Sequence, residues 1–129
     1  MKKSMIFICV AMLALISCQN ENTPVPAHNP VVNLLLPASG SLYTTGDTVF
    51  MSVSMTDEEE LHEGFLYIRT ATDTIFTFEP FVHELPAYNK DTFWVVNGIS
   101  ATTNAFVTAM AFNHDEGADT VDVSITMVP

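Results

Sequence analysis

Three histidines and a group of carboxylates are the side chains here that could do chemistry. "TDEEELHEG" carries Asp57, Glu58, Glu59, Glu60, His62 and Glu63. "FVHEL" adds His83 and Glu84, and "NHDEG" adds Asn113, His114, Asp115 and Glu116. Neutral imidazole suits zinc, copper or nickel, and carboxylates complete such sites. His62, His83 and His114, with Asp57 or Asp115 as an oxygen donor, are the candidate transition-metal ligands. Calcium is the alternative ion, held by Asp57, Glu58, Glu60 and Asp115 with backbone carbonyls. The spacing argues for neither: no two histidines stand at a short ligand interval, and no EF-hand pattern occurs. The plainer expectation is a solvated acidic rim in which each histidine packs or caps a turn. Repulsion among Asp57, Glu58, Glu59 and Glu60 would be relieved by a cation, but exposed charges are well screened at physiological salt.

Catalytic constellations are missing. The chain has no Gly-x-Ser-x-Gly elbow and no phosphate-cradling glycine loop, and its two cysteines fall in the first 18 residues. The expectation is a protein that is not an enzyme and has no catalytic residues.

The elements that must position these side chains read as strands. From residue 31 onward no segment keeps a helical period, and apolar residues alternate between turns rich in Gly, Asp, Asn and Pro. Strands are expected over 31–36, 47–55, 64–70, 73–79, 91–98, 104–112 and 119–128. Val49, Met51, Val53 and Met55 share one face of the second, and Val121, Val123, Ile125 and Met127 point inward from the last. Seven short strands in about 100 residues predict an all-β, antiparallel β-sandwich, with a closed barrel as the alternative.

The amino-terminal end has a different character. Lys2 and Lys3 precede an apolar run, Met5 to Ile16, of about a dozen residues. That is shorter than the ~20 needed to span a bilayer core and fits a secretory signal. It ends "LISC", which resembles the lipobox of bacterial lipoproteins. The resemblance implies a signal peptide, 1–17, cleaved before Cys18, and acylation (palmitate-type lipidation) of Cys18. Gln19, not Asp, follows that cysteine, which by the same resemblance directs the protein to the outer membrane. "QNENTPVPAHNP" completes an anchor-and-tether segment, 18–30, reaching at most ~40 Å at ~3.3 Å per residue. The mature chain then has no cysteine free for a disulfide, so its fold rests on its core. Two fixed cations, Arg69 and Lys90, stand against 15 acids, a net −13. Such a surface repels nucleic acid, leaving cations, basic proteins or neutral glycans as partners.

"GDTVFMSVSMTDEEELHEGFLYIR" and "FVTAMAFNHDEGADTVDVSITMV" resemble bacterial Ig-like or fibronectin-like domains. With the lipobox, the chain resembles the small single-domain Ig-like lipoproteins of Bacteroidota. The resemblance implies an Ig-like domain over 31–129. It departs from the antibody pattern in lacking the inter-sheet cysteine pair and in placing Trp94 on the fifth strand. Ig-like order would gather three connections at one end: Thr56 to about His62, Pro80 to Lys90, and Asn113 to Glu116. Three of the four histidines fall on them, and the tether enters beside them. Gly64 is expected to ease entry into the third strand, and Gly117 to take a positive φ in the last turn.

The aromatics are a second candidate feature. Phe106, Met110 and Phe112 lie opposite Val107, Ala109 and Ala111, and Phe93 and Trp94 pose the same choice of faces. Ordinary core packing is the plainer reading. The alternative is a surface for a partner protein or a stacking glycan built from Phe106, Met110, Phe112 and Trp94. "FTFEPF" could present a strand edge to a partner. The functional expectation is a lipid-anchored, non-enzymatic module that binds a partner or ligand in the cell envelope. The alternatives are a metal-binding lipoprotein and a structural subunit of an envelope assembly.

Overall fold

The computed structural model describes residues 28–129. The expected signal peptide 1–17, the expected lipidation site Cys18 and residues 19–27 of the expected tether lie outside the described residues. Seven strands follow: β1 Val31–Leu36, β2 Ser41–Thr44, β3 Thr48–Arg69, β4 Thr74–Phe78, β5 Leu85–Val95, β6 Thr103–Asn113 and β7 Ala118–Val128. They form the all-β sandwich that the alternation implies, of the Ig-like, fibronectin-like kind that the sequence resembles. All pairings are antiparallel except β2 with β7, which is parallel.

The expected second and third strands are one strand. β3 runs 22 residues and serves both layers. Its first part, Thr48–Thr56, pairs with β1 on one side and β5 on the other. Its last part, Leu61–Arg69, pairs with β6 and β4. "TDEEELHE" holds one turn-forming residue type, Asp57, with no Gly or Pro beside it. The strand bends instead, with register shifts between Thr56 and Leu61 and between Leu61 and Glu63, as strands do where they pass between layers. The count of seven is kept by β2, whose four residues are too few to show a pattern. β5 starts at Leu85 rather than residue 91. It takes in Pro86 and Lys90, which its edge position tolerates because it pairs with β3 alone.

Alternation places the core. Val49, Met51, Val53 and Met55 are all buried, as are Leu66, Ile68, Ile125 and Met127. Each such side chain stabilises the fold by about 1.5–3 kcal/mol relative to leaving it exposed. On β6 the small residues face inward, with Ala105, Val107, Ala109 and Ala111 buried. Phe106, Met110 and Phe112 therefore face outward. There they meet the outward residues of β3: Arg69 lies over the Phe106 ring at 5.1 Å, Tyr67 donates to the Met110 sulfur, and Phe65 meets Phe112 edge-on. Arg69 also donates to Thr108 and Asp122. Large outward residues thus cover one another across the pair.

Candidate metal centre

Leu61 organises the end of the sandwich where the histidines lie. It is fully buried and stands opposite Leu85 of β5 and Asn113 of β6. Its carbonyl accepts the backbone N–H of Glu84. Each histidine sits beside one of these attachments. His62 follows Leu61 and is the extra residue of a bulge, since Leu61 pairs with Asn113 while Glu63 pairs with Phe112. A bulge of this kind re-aims one side chain out of the pleat. His83 lies in the turn entering β5, which Leu85 N–H to Val82 O closes at 3.0 Å. Glu84 in that turn has φ 64°, a left-handed conformation uncommon outside glycine. His114 opens the turn after β6, closed by Asn113 N–H to Gly117 O.

The three imidazoles converge. Ring centroids are 4.3 Å apart for His62–His114 and 5.1 Å for both His62–His83 and His83–His114. One nitrogen from each ring lies within 4.8 Å of the other two. An ion at the centre of that triangle would stand at most about 2.8 Å from each nitrogen. Side-chain shifts under ~1 Å reach the ~2.0–2.1 Å of an imidazole–zinc bond. The Nδ1 of His62 is buried and has no hydrogen-bond partner, an arrangement that costs about 1–3 kcal/mol unless something binds there. His62 and His83 are half-buried and His114 is exposed, so the cluster opens to solvent on one side.

Asp57 and Asp115 are not in this group. Asp57 belongs to a separate network at the same end. Its Oδ1 accepts from His28 Nε2 at 2.7 Å and from Glu59 N–H at 2.9 Å, and its Oδ2 accepts from Asn113 Nδ2 at 3.2 Å. Asn113 Nδ2 also donates to the His28 carbonyl, and its Oδ1 accepts the N–H groups of Asp115 and Gly117. Burial pushes the Asp57 carboxyl up. The bonds from Glu59, His28 and Asn113 outweigh that and hold it below the ordinary 3.8. The bond to Asp57 raises His28 above the ordinary 6.5, helped by the charges of Asp57, Glu59 and Asp115 against the opposing effect of burial. This network lines a cavity of about 240 Å³ with Glu59, Glu60, His114 and Asp115.

Two turn residues also differ from expectation. Glu116, not Gly117, takes the positive φ, at 63°. Gly117 is needed because a Cβ there would collide with the His28 carbonyl oxygen and with Asn113. Gly64 lies inside β3, and a Cβ there would press on Met55, Val82 and Pro80. His28 and the bridging role of Asn113 were missed from the sequence. The "NHDEG" run held a signal for the second, since Asn side chains accept from N–H groups two residues on.

Of the candidate partner surface, Phe106, Met110 and Phe112 face outward, with Phe106 42% exposed. Trp94 does not belong with them. It is half-buried and packs on the core, because the inward face of β5 carries Tyr88, Thr92 and Trp94, and buried Val96 continues it just past the strand. Its neighbour Phe93 faces out instead and stands opposite Phe50 across the β3–β5 pair, each 61% exposed.

These features define a two-layer Ig-like, fibronectin-like β-sandwich with three converging imidazoles at one end. Comparison with models of known families gives no match, and neither does comparison with curated proteins. Among solved structures, the chain is similar to an engineered protein with a TM-score of 0.51 and 17% identity, over 81% of this chain. The chain spans 21% of that protein's length, and the likeness concerns fold alone. The fibronectin(III)-like modules of Clostridium thermocellum CbhA align with a TM-score of 0.49 and 10% identity, over 75% of this chain and 94% of theirs.

Proposed function

We propose that this β-sandwich module binds a transition-metal ion through His62, His83 and His114, while held at the outer membrane by a lipid on Cys18. The observation that carries the metal reading is the meeting of three imidazole nitrogens within 4.8 Å of one another. The buried, partnerless Nδ1 of His62 supports it. Three neutral nitrogen donors without thiolate fit zinc or copper(II). Calcium is disfavoured, since both oxygens of Asp57 are engaged by protein donors. The anchor rests on the "LISC" resemblance and on Gln19.

The test is a thermal melt of the purified protein with zinc, copper(II) or calcium. An ion that binds only the folded form raises the melting temperature, by the equivalent of about 2.7 kcal/mol at 100 times Kd. Zinc or copper should give the shift and calcium should not. No shift with zinc or copper well above micromolar concentration would falsify the metal reading. For the anchor, Cys18→Ala should release the protein from membranes. Retention there with the signal cleaved would sink it.

A further inference from the structure

Beside the three imidazoles the surface holds a cleft of about 340 Å³ that shares His62 and His83 with the cluster. Its walls are Phe65, Pro80, Phe81 and Val82, with Glu63 and Glu79 also lining it. We propose, resting on the metal reading above, that this cleft receives a flat nitrogen heteroaromatic, neutral or cationic, whose ring nitrogen completes the coordination of the bound metal.

Four observations carry this. First, among the described residues the cluster supplies three protein donors. A three-donor site leaves a coordination position for an exchangeable ligand. Second, the cleft adjoins two of those donors and its walls are mostly apolar. Its size lies at the lower end of small-molecule sites, enough for one or two rings. Third, Phe81 is 85% exposed, the highest value among the large apolar side chains of the described residues. Its ring lies 29° from the plane of His83 with centroids 6.5 Å apart. The two rings, loosely stacked, both line the cleft, and one of them is a candidate metal ligand. Gly64 contributes by having no side chain, which lets the wall residues Pro80 and Val82 approach β3 closely. Fourth, Glu63 and Glu79 line the cleft of a chain whose formal charge is −11. Carboxylate or phosphate ligands are repelled, while a neutral or protonated nitrogen heterocycle is not. A metal already held by three imidazoles accepts a further borderline nitrogen donor readily.

Cobalt(II) makes the coordination visible, because its absorption bands respond to the number and type of donors. The full protein is loaded with cobalt(II) and titrated with imidazole, benzimidazole or benzoate. Benzimidazole should shift the bands and bind about tenfold tighter than imidazole, its second ring being the part that fills the cleft. Benzoate should bind more weakly than either. Phe81→Ala should bring benzimidazole down to the affinity of imidazole and leave imidazole and cobalt binding as they were. Phe81 is so exposed that this variant keeps the fold. If cobalt binds but benzimidazole leaves the bands unchanged at millimolar concentration, the cleft proposal fails and the metal reading stands. Benzoate binding as well as benzimidazole, or Phe81→Ala leaving their ratio unchanged, also overturns it. If cobalt does not bind, both readings fall together.

Discussion

Two polar clusters stand side by side at one end of this sandwich, each containing histidine and each drawing on β3 and on the end of β6 or the turn after it. In one, His28, Asp57 and Asn113 satisfy one another: Asp57 uses both carboxylate oxygens, and Asn113 uses both ends of its amide. In the other, His62, His83 and His114 turn their rings on each other, and a buried nitrogen of His62 has no partner. A closed network is a structural device, since buried polar groups that bond only to protein fix loops in place. Donors that converge without satisfying one another are arranged for something else. Residue type alone does not separate these cases, because histidine serves in both. The accounting of hydrogen bonds does.

Breaking Leu61, the core residue whose strand pairings hold both clusters in place, should have the largest effect. Leu61→Ala leaves a cavity beneath both turns and should cost about 2–5 kcal/mol in urea unfolding, with metal binding lost as well. A variant that kept full stability would show that Leu61 is not the junction.

Next in size, Asn113→Ala strips partners from buried Asp57 and from two turn N–H groups. It should cost about 1–3 kcal/mol. Because Asn113 also shapes the turn bearing His114, zinc affinity should fall too. Thermal melts with and without zinc separate the two losses.

His62→Ala sharpens the contrast. It removes an unsatisfied nitrogen rather than a bonded one, so metal-free stability should change by less than about 1 kcal/mol. The zinc-induced rise in melting temperature should vanish. A large loss of metal-free stability with zinc binding retained would assign the cluster to structure instead.

The smallest effect distinguishes the closed network by pH. His28 is raised in the folded state, so its contribution is complete below 6.5 and is lost as pH climbs through its folded value. Asp57 is lowered, so its contribution is complete above 3.8 and is lost as pH falls through its folded value. Metal-free stability from this pair should therefore be fullest between those two limits. His28→Asn should flatten the alkaline decline and leave zinc affinity unchanged, as read from urea midpoints across a pH series.

Much of the fold was legible because strand alternation is a local property. Val49, Met51, Val53 and Met55 declare an inward face within nine residues of sequence, and Ile125 and Met127 do the same near the end. The join within β3 was not legible. An acidic run reads as a turn by its polarity, and no local residue type settles the matter, since the β3–β4 connection over 70–73 reverses without Gly, Pro or Asn. β2 was too short to show a period. The choice of faces on β6 was open for a different reason: both sides are apolar, and only the opposing layer decides whether alanine or phenylalanine fits between the sheets.

The candidate site divides in the same way. From its sequence alone the chain declares strands, a strongly acidic surface and three histidines on connections that an Ig-like order would bring to one end. The tertiary structure decided that those histidines meet, that Asp57 turns away from them to His28 and Asn113, and that Trp94 faces the core. The physical reason is range. Alternation and turn chemistry act over a few residues, but the imidazoles are 21 and 31 positions apart. They meet only because Leu61 pairs with two other strands at once.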